Sequence, residues 1–223
     1  SYIVTGTVGG CSATDTIGVT VNPVPSIGSM TGSATVCVND SGTYSVSPVA
    51  GTYTWTVTGG TISAGQGTNS INVNWNSTGS GTVSLIVANA SNCTANQSMP
   101  VTVNSLPVAI SVSGPAIGCQ GSTQTYFVTQ NPGSTYQWTA TGGSIIGSGS
   151  GNTVTVDWGA AGAGTVSVIE TNSGGCAGAV NNYNVTVQAR PNNPFVTGNT
   201  INCDNMVTQY SIVPNAGSSY MWN

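Results

Sequence analysis

The residues best equipped for chemistry are six cysteines, and their spacing is regular. Cys11, Cys93 and Cys176 form one series and Cys37, Cys119 and Cys203 a second, each stepping by about 83 residues. Thiols in such a pattern serve as zinc ligands or as disulfide partners. Zinc sites are written with Cys-x-x-Cys pairs or histidine, and this chain contains neither, so disulfides in an oxidising, extracytoplasmic location are expected. The rest of the reactive inventory is short: Asp15, Asp40, Asp157, Glu170 and Asp204 are isolated acids, Arg190 is the single cation, and there is no Lys. Without an imidazole, an amine or a paired carboxylate, nothing stands ready to activate the plentiful Ser and Thr hydroxyls. No enzyme, cofactor or catalytic residue is therefore expected. Asp40, Asp157 and Asp204 lack the cluster of oxygen ligands that calcium requires, so no metal site is expected either.

One cation leaves no electrostatic footprint for nucleic acid or for an anionic membrane surface. No apolar run approaches the length of about 18 residues that spans a bilayer. Apolar residues nevertheless make up 38% of the 223, with five Trp and eight Tyr spread along the chain, unlike a disordered tail. A soluble, folded, weakly acidic protein is expected, its polar surface built from Thr, Ser, Asn and Gly.

The cysteine ruler is shared by other markers. Val-Thr-Val recurs at 19–21, 101–103 and 185–187, each time followed four residues later by Pro25, Pro107 or Pro191. Trp55, Trp138 and Trp222 keep the same period, Trp75 returns as Trp158, and Gly59-Gly60 returns as Gly142-Gly143. So many independent markers on one period define a tandem repeat. Complete repeats are expected at 25–106 and 107–190; residues 1–24 match the last third of a repeat and 191–223 the first two fifths. The chain thus amounts to about 2.7 periods and reads as a window on a longer array. A competing arrangement, in which the end fragments of neighbouring subunits complete one another, leaves roughly 27 residues unaccounted for, the second Trp among them.

The elements that carry these residues are strands. Residues 52–57 read Thr-Tyr-Thr-Trp-Thr-Val, which puts Tyr53, Trp55 and Val57 on one face and Thr52, Thr54 and Thr56 on the other. Ile71, Val73 and Trp75 alternate in the same way, as do Val154, Val156 and Trp158. Further strands are expected at 44–49, 83–87 and 101–103, separated by Gly, Asn and Ser turns. No helical period appears. Each repeat is expected to be a Greek-key-like, all-β sandwich of about seven strands, with a short, stiff joint between Val103 and Pro107.

Two disulfide patterns fit. The simpler joins Cys37 to Cys93 and Cys119 to Cys176 within repeats, closing loops of roughly 55 residues and contributing around 4 kcal/mol in the chain-entropy model. Cys11 and Cys203 would then seek partners outside the window. In an immunoglobulin-like topology, however, the turns bearing Cys37 and Cys93 lie at opposite poles, which would instead allow Cys37 to bridge Cys176 and lock successive repeats together. The core aromatics are Trp55, Trp75, Trp138 and Trp158, which share faces with branched apolar residues, the pattern of inward packing rather than of a sugar-stacking platform. The Thr ladder at Thr52, Thr54, Thr56 and Thr58 is expected on a solvated face, not as an ice-binding or glycan-bearing surface. Asn76-Ser77-Thr78 and Asn184-Val185-Thr186 are N-glycosylation sequons, useful only in a host with that machinery.

The order Cys37, Tyr44, Tyr53-Thr54-Trp55, Gly59-Gly60, Ile71-Asn72-Val73-Asn74-Trp75, Gly81-Thr82-Val83, Asn92-Cys93, Val101-Thr102-Val103 resembles the PKD-like (polycystic-kidney-disease-like) immunoglobulin-type repeats of very large Bacteroidota surface and secreted proteins. The second repeat carries the same resemblance through Cys119, Tyr126, Tyr136-Gln137-Trp138, Val154-Thr155-Val156-Asp157-Trp158, Gly175-Cys176 and Val185-Thr186-Val187. The resemblance implies tandem PKD-like β-sandwiches, export by the type IX pathway to the cell surface or medium, and service as stalk or adhesin modules. Asp15-Thr16-Ile17 resembles the acidic-Thr-apolar site at which that group O-glycosylates exported proteins, which would make Thr16 the modified residue.

Two functional classes follow. In the first, the chain is a structural stalk or filament shaft whose partners are other copies of itself or neighbouring repeats, because edge strands without Lys or inward charges invite lateral contact. In the second, the sandwiches are carbohydrate-binding or spacer modules of a secreted polysaccharide-degrading enzyme, with surface glycans as partners.

Overall fold

The computed structural model describes residues 1–223 and contains strands and turns only. It divides into two compact units, Ser1–Leu106 and Pro107–Asn223. The first unit opens with a hairpin, β1 (Tyr2–Val8) and β2 (Cys11–Ile17), turned by Gly9 and Gly10 with φ of 57° and 81°. All of its side chains are exposed.

Seven strands then form the first sandwich: β3 (Thr35–Cys37), β4 (Ser41–Ser45), β5 (Thr52–Thr58), β6 (Gly60–Ala64), β7 (Ser70–Trp75), β8 (Gly79–Ala88) and β9 (Thr94–Asn104). One sheet has the order β3-β9-β8-β5 and the other β4-β7-β6. Alternation decides the inner faces. Tyr53 and Trp55 of β5, Ile71, Val73 and Trp75 of β7, Val83, Leu85 and Val87 of β8, and Val101 and Val103 of β9 are buried in one cluster, while the intervening Thr residues of β5 are exposed. The indole of Trp55 donates to the Thr68 carbonyl at 2.8 Å, so its polar edge is satisfied inside the core. The Gly pair is explained by the tight β5–β6 turn: Gly59 adopts φ 78°, and a Cβ on Gly60 would lie 2.8 Å from the Asn74 carbonyl oxygen.

One strand differs from expectation. The segment expected at 44–49 pairs as β4 only to Ser45, because Pro48 has no N–H to offer a ladder. Val49 is served instead by the Tyr53 phenol, which accepts from its N–H and donates to its carbonyl, both at 2.7 Å. The short β3, whose pairing with β9 is parallel, went unread in the sequence.

The second unit repeats this plan with β10 (Ile117–Cys119), β11 (Thr123–Phe127), β12 (Thr135–Thr141), β13 (Gly143–Ile146), β14 (Thr153–Trp158), β15 (Gly162–Thr171) and β16 (Asn181–Gln188), in sheets ordered β10-β16-β15-β12 and β11-β14-β13. Trp138, Val154, Val156, Trp158, Val166, Val168, Val185 and Val187 are buried in its core. Two short strands follow, β17 (Val196–Thr197) and β18 (Ser211–Ile212). Here the opening steps of a repeat are visible again: Tyr210 donates to the Asn199 carbonyl at 2.9 Å, as Tyr44 does to that of Ser33.

Candidate functional site at the poles of each repeat

The structure buries all four core tryptophans, Trp55, Trp75, Trp138 and Trp158, so none presents a ring to solvent. Tyr44 meets Trp75 edge-on at a centroid distance of 5.9 Å, and Tyr126 meets Trp158 in the same way at 6.0 Å. A feature missed in the sequence sits beneath these tyrosines. Gly32, Gly114 and Gly198 lie so close to Tyr44, Tyr126 and Tyr210 that an added Cβ would come within 2.2–2.3 Å of the ring. Their spacing of about 83 was readable in the sequence.

The outer face of the four-stranded sheet is polar and without charge. Rows run Thr54, Ile86, Asn96 and Thr56, Ser84, Ser98 across β5, β8 and β9. The corresponding row Thr139, Ser167, Asn182 closes with Ser167 donating to Asn182 Oδ1 at 2.7 Å. No three His, Cys, Asp or Glu side chains gather anywhere, and Asp40, Asp157 and Asp204 are each exposed. Thr16 is exposed on β2, its N–H donating to Asp15 Oδ1 at 2.8 Å. In the sequons, Asn76 donates to Thr61 Oγ1 at 3.1 Å and Asn184 accepts from Thr165 at 3.5 Å.

The residues with reactive chemistry lie at the two ends of the sandwich. Cys37 is the last residue of β3 and sits opposite Asn104, the last residue of β9, with the Val38 N–H donating to the Asn104 carbonyl at 2.9 Å. This is the pole at which the chain leaves the repeat. Cys93 lies at the opposite pole, in the turn that leads into β9. There the Asn89 Oδ1 accepts from the Ser91 and Cys93 N–H groups, both at 3.0 Å, and the Asn89 amide donates to the Pro23 carbonyl at 2.8 Å. The Cys93 thiol is 3.6 Å from the Asn22 carbonyl oxygen. Asn22 and Pro23 are the chain's approach to the repeat, so Cys93 marks the pole of entry.

The second repeat has the same polarity. Cys119 is opposite Gln188, the last residue of β16. At the other end Asn172 Oδ1 accepts from the Gly174 and Cys176 N–H groups, both at 3.0 Å, and a Cβ on nearby Gly178 would touch Pro107 at 3.4 Å.

This polarity corrects the simpler disulfide pattern. Cys37 and Cys93 are separated by the length of β9, roughly 30 Å at the usual rise per residue, whereas a disulfide needs Cα atoms within about 7 Å. The pairings Cys37 to Cys93 and Cys119 to Cys176 are not formed. Cys93 and Cys119 are free thiols, as are the exposed Cys11 and Cys203, whereas Cys37 and Cys176 are each oxidised.

One buried acid escaped notice in the sequence. Glu170 takes the core position that Val87 holds in the first repeat and is 2% exposed. Its Oε1 accepts from the Asn131 amide at 2.8 Å and its Oε2 has no hydrogen-bond partner.

Two tandem sandwiches of one topology, entered at one pole and left at the other, define a chain of immunoglobulin-like β modules. The family model of the PKD-like domain matches residues 22–103 and 105–187, about three-quarters of the chain, and the protein belongs to that family. A comparison with curated proteins returned no match. Among solved structures, the chain is similar to the fibronectin(III)-like modules of Clostridium thermocellum CbhA, with 14% identity, a TM-score of 0.41, and coverage of 74% of this chain and 95% of that one. It is also similar to murine CEACAM1b, with 11% identity, a TM-score of 0.36, and coverage of 73% and 100%. A titin segment of three immunoglobulin domains matches at 10% identity and a TM-score of 0.38, covering 87% of this chain and 78% of that one. No helix is long and apolar enough to cross a membrane.

Proposed function

We propose that this chain is a non-enzymatic structural segment of a large extracellular surface protein, the stalk or shaft of an adhesin or filament. The observation that carries this reading is the polarity of the single repeat. Entry beside Cys93 and exit beside Cys37 mean that the module is traversed lengthwise, with its two ends at opposite poles. A module built for binding needs no such separation of its ends.

The uncharged outer faces and the Lys-free edge strands support lateral association with other copies of the chain, which would be insensitive to salt because there is little charge to screen. Export to the surface of a Bacteroidota cell by the type IX route, with O-glycosylation at Thr16, belongs to the same reading. It is supported by the exposed Asp15-Thr16-Ile17 segment on β2 and by the oxidised cysteines.

Electron micrographs of the native material test the proposal. Thin beaded threads or multi-stranded fibres are expected, and compact particles would overturn it. A glycan array provides the second arm: specific micromolar binding would move the assignment to a carbohydrate-binding module.

A further inference from the structure

We propose that the second repeat cleaves its own backbone between Asn131 and Pro132, with Asn131 Nδ2 as the nucleophile and the Glu170 carboxylate as the base that takes its proton. Asn131 is fixed by its side chain, its N–H and its carbonyl at once. Its Nδ2 donates to Glu170 Oε1 at 2.8 Å, its N–H donates to the Tyr136 hydroxyl oxygen at 2.8 Å, and its carbonyl accepts from the Ser134 N–H at 3.2 Å. The last bond closes a turn with Pro132 and Gly133 at its centre, Gly133 at φ 76°. Glu170 is buried and its Oε2 is without a partner, so one oxygen of the carboxylate remains open to carry a proton.

The chemistry follows from the order of the residues. An asparagine is ordinarily lost when the next backbone nitrogen attacks its side-chain carbonyl and expels ammonia. Pro132 has no N–H and cannot do this. The reverse attack is left: Nδ2 adds to the main-chain carbonyl carbon of Asn131 while Glu170 accepts a proton from the nitrogen, and the Ser134 N–H holds the oxyanion that forms. The C–N bond to Pro132 then breaks, and the proton passes from Glu170 to the proline nitrogen, which leaves as a secondary amine. Asn131 ends the first fragment as a succinimide, which water later opens. No oxidant or co-reactant is consumed, and the site acts once.

The counterparts of this corner lack the full set. In the first repeat the N–H that meets the tyrosine phenol belongs to Val49, and Val87 stands where Glu170 does. Asn215 repeats the contact to a phenol, that of Tyr220, and the turn to Ser218, but Ala216 follows it. The nicked repeat stays assembled, because β10 is paired with β16 and β11 with β14 across the cut. Hydrogen bonds and packing then hold the second repeat where the peptide chain held it before. The reaction is independent of the stalk reading, and its failure would leave that reading standing.

The test incubates the whole chain at neutral pH for days and follows it on reducing, denaturing gels and by intact mass. Fragments 1–131 and 132–223 are expected, the second beginning at Pro132 and the first lighter by one water than its free acid until the succinimide opens. Glu170→Gln should slow their appearance about 100-fold. Asn131→Val with Glu170→Val installs the pair of the first repeat and should give a folded chain that stays whole. An uncut parent overturns the proposal, as do equal rates of cleavage in the parent and Glu170→Gln or in the folded and urea-unfolded parent.

Discussion

Gln124 accepts a hydrogen bond from the indole of Trp158 at 3.2 Å, and its counterpart in the first repeat, Gly42, leaves the buried Trp75 Nε1 without a partner. The Tyr126 hydroxyl donates to the same Gln124 oxygen at 2.8 Å. Space for that side chain comes from Gly118, where a Cβ would lie 3.2 Å from Gln124 Oε1 and 3.0 Å from the Trp158 ring. The first repeat reverses both residues, placing the half-buried Val36 where the second has Gly118. One repeat fills this corner with a valine and the other with a glutamine amide. Gln124→Gly should cost about 1–3 kcal/mol by orphaning the indole N–H, and Gly118→Val about as much by overpacking. The double variant should cost less than the sum of the two, because it recreates the pairing of the first repeat. Urea unfolding of the four species measures this coupling, and strict additivity would contradict it.

Glu170 is the one charged side chain buried in either core. Its homologous position in the first repeat is filled by Val87, and its Oε2 has no partner. Glu170→Val should therefore stabilise the second repeat by about 1–3 kcal/mol, since an apolar replacement removes the desolvation cost of a half-paired carboxylate. Asn131, half-exposed, can turn its amide to water. A higher urea midpoint at unchanged slope is the expected result. A lower midpoint would mean that the Asn131 contact outweighs the desolvation.

Strand pairs with strict alternation were legible in the sequence because each inward residue is apolar. The run from Thr52 to Trp55 and the run from Ile71 to Trp75 need no tertiary information to be read as half-buried strands. The three-residue β3 was not legible, since so short a strand has no period and its partner, β9, lies some sixty residues downstream. That strand carries Cys37 to the exit pole, so the within-repeat pairing, simplest by sequence distance, failed where topology overrode it. Glu170 and the glycine beneath each tyrosine are a different case. The repeat itself aligns Glu170 with Val87 and Gly114 with Gly32, and only the three-dimensional packing shows what the departure or the coincidence means.

Alkaline pH should weaken both repeats, and the sign follows from burial. Desolvation raises the phenol pKa of Tyr44 and Tyr126 above the ordinary value near 10, and the charge of Tyr183 adds to the shift at Tyr126. The unfolded chain releases these protons first. Their contribution is thus complete below about pH 10 and is lost as pH rises through the folded-state value. Urea midpoints measured between pH 8 and 11 should fall only at the upper end. Tyr126→Phe, though less stable throughout, should show a shallower decline for the second repeat; an unchanged slope would remove Tyr126 as a source.

Gly114 sets how closely the backbone can pass over the Tyr126 ring. An added Cβ would lie 2.3 Å from Tyr126 Cδ1, and the ring cannot retreat: its hydroxyl shares one proton between Gln124 Oε1 at 2.8 Å and the Pro115 carbonyl at 3.0 Å, and its other side meets Trp158 and Tyr183. Gly114→Ala should destabilise the second repeat by about 1–3 kcal/mol through this overlap, although alanine is the better residue for an unfolded chain to lose. Gly6→Ala is the control, since a Cβ there meets nothing within 4 Å. That variant should unfold within about 0.5 kcal/mol of the parent. Equal effects of the two substitutions would show that the glycine under the tyrosine serves the turn and not the packing, and the same comparison at Gly198 would extend the result to the segment after the second sandwich.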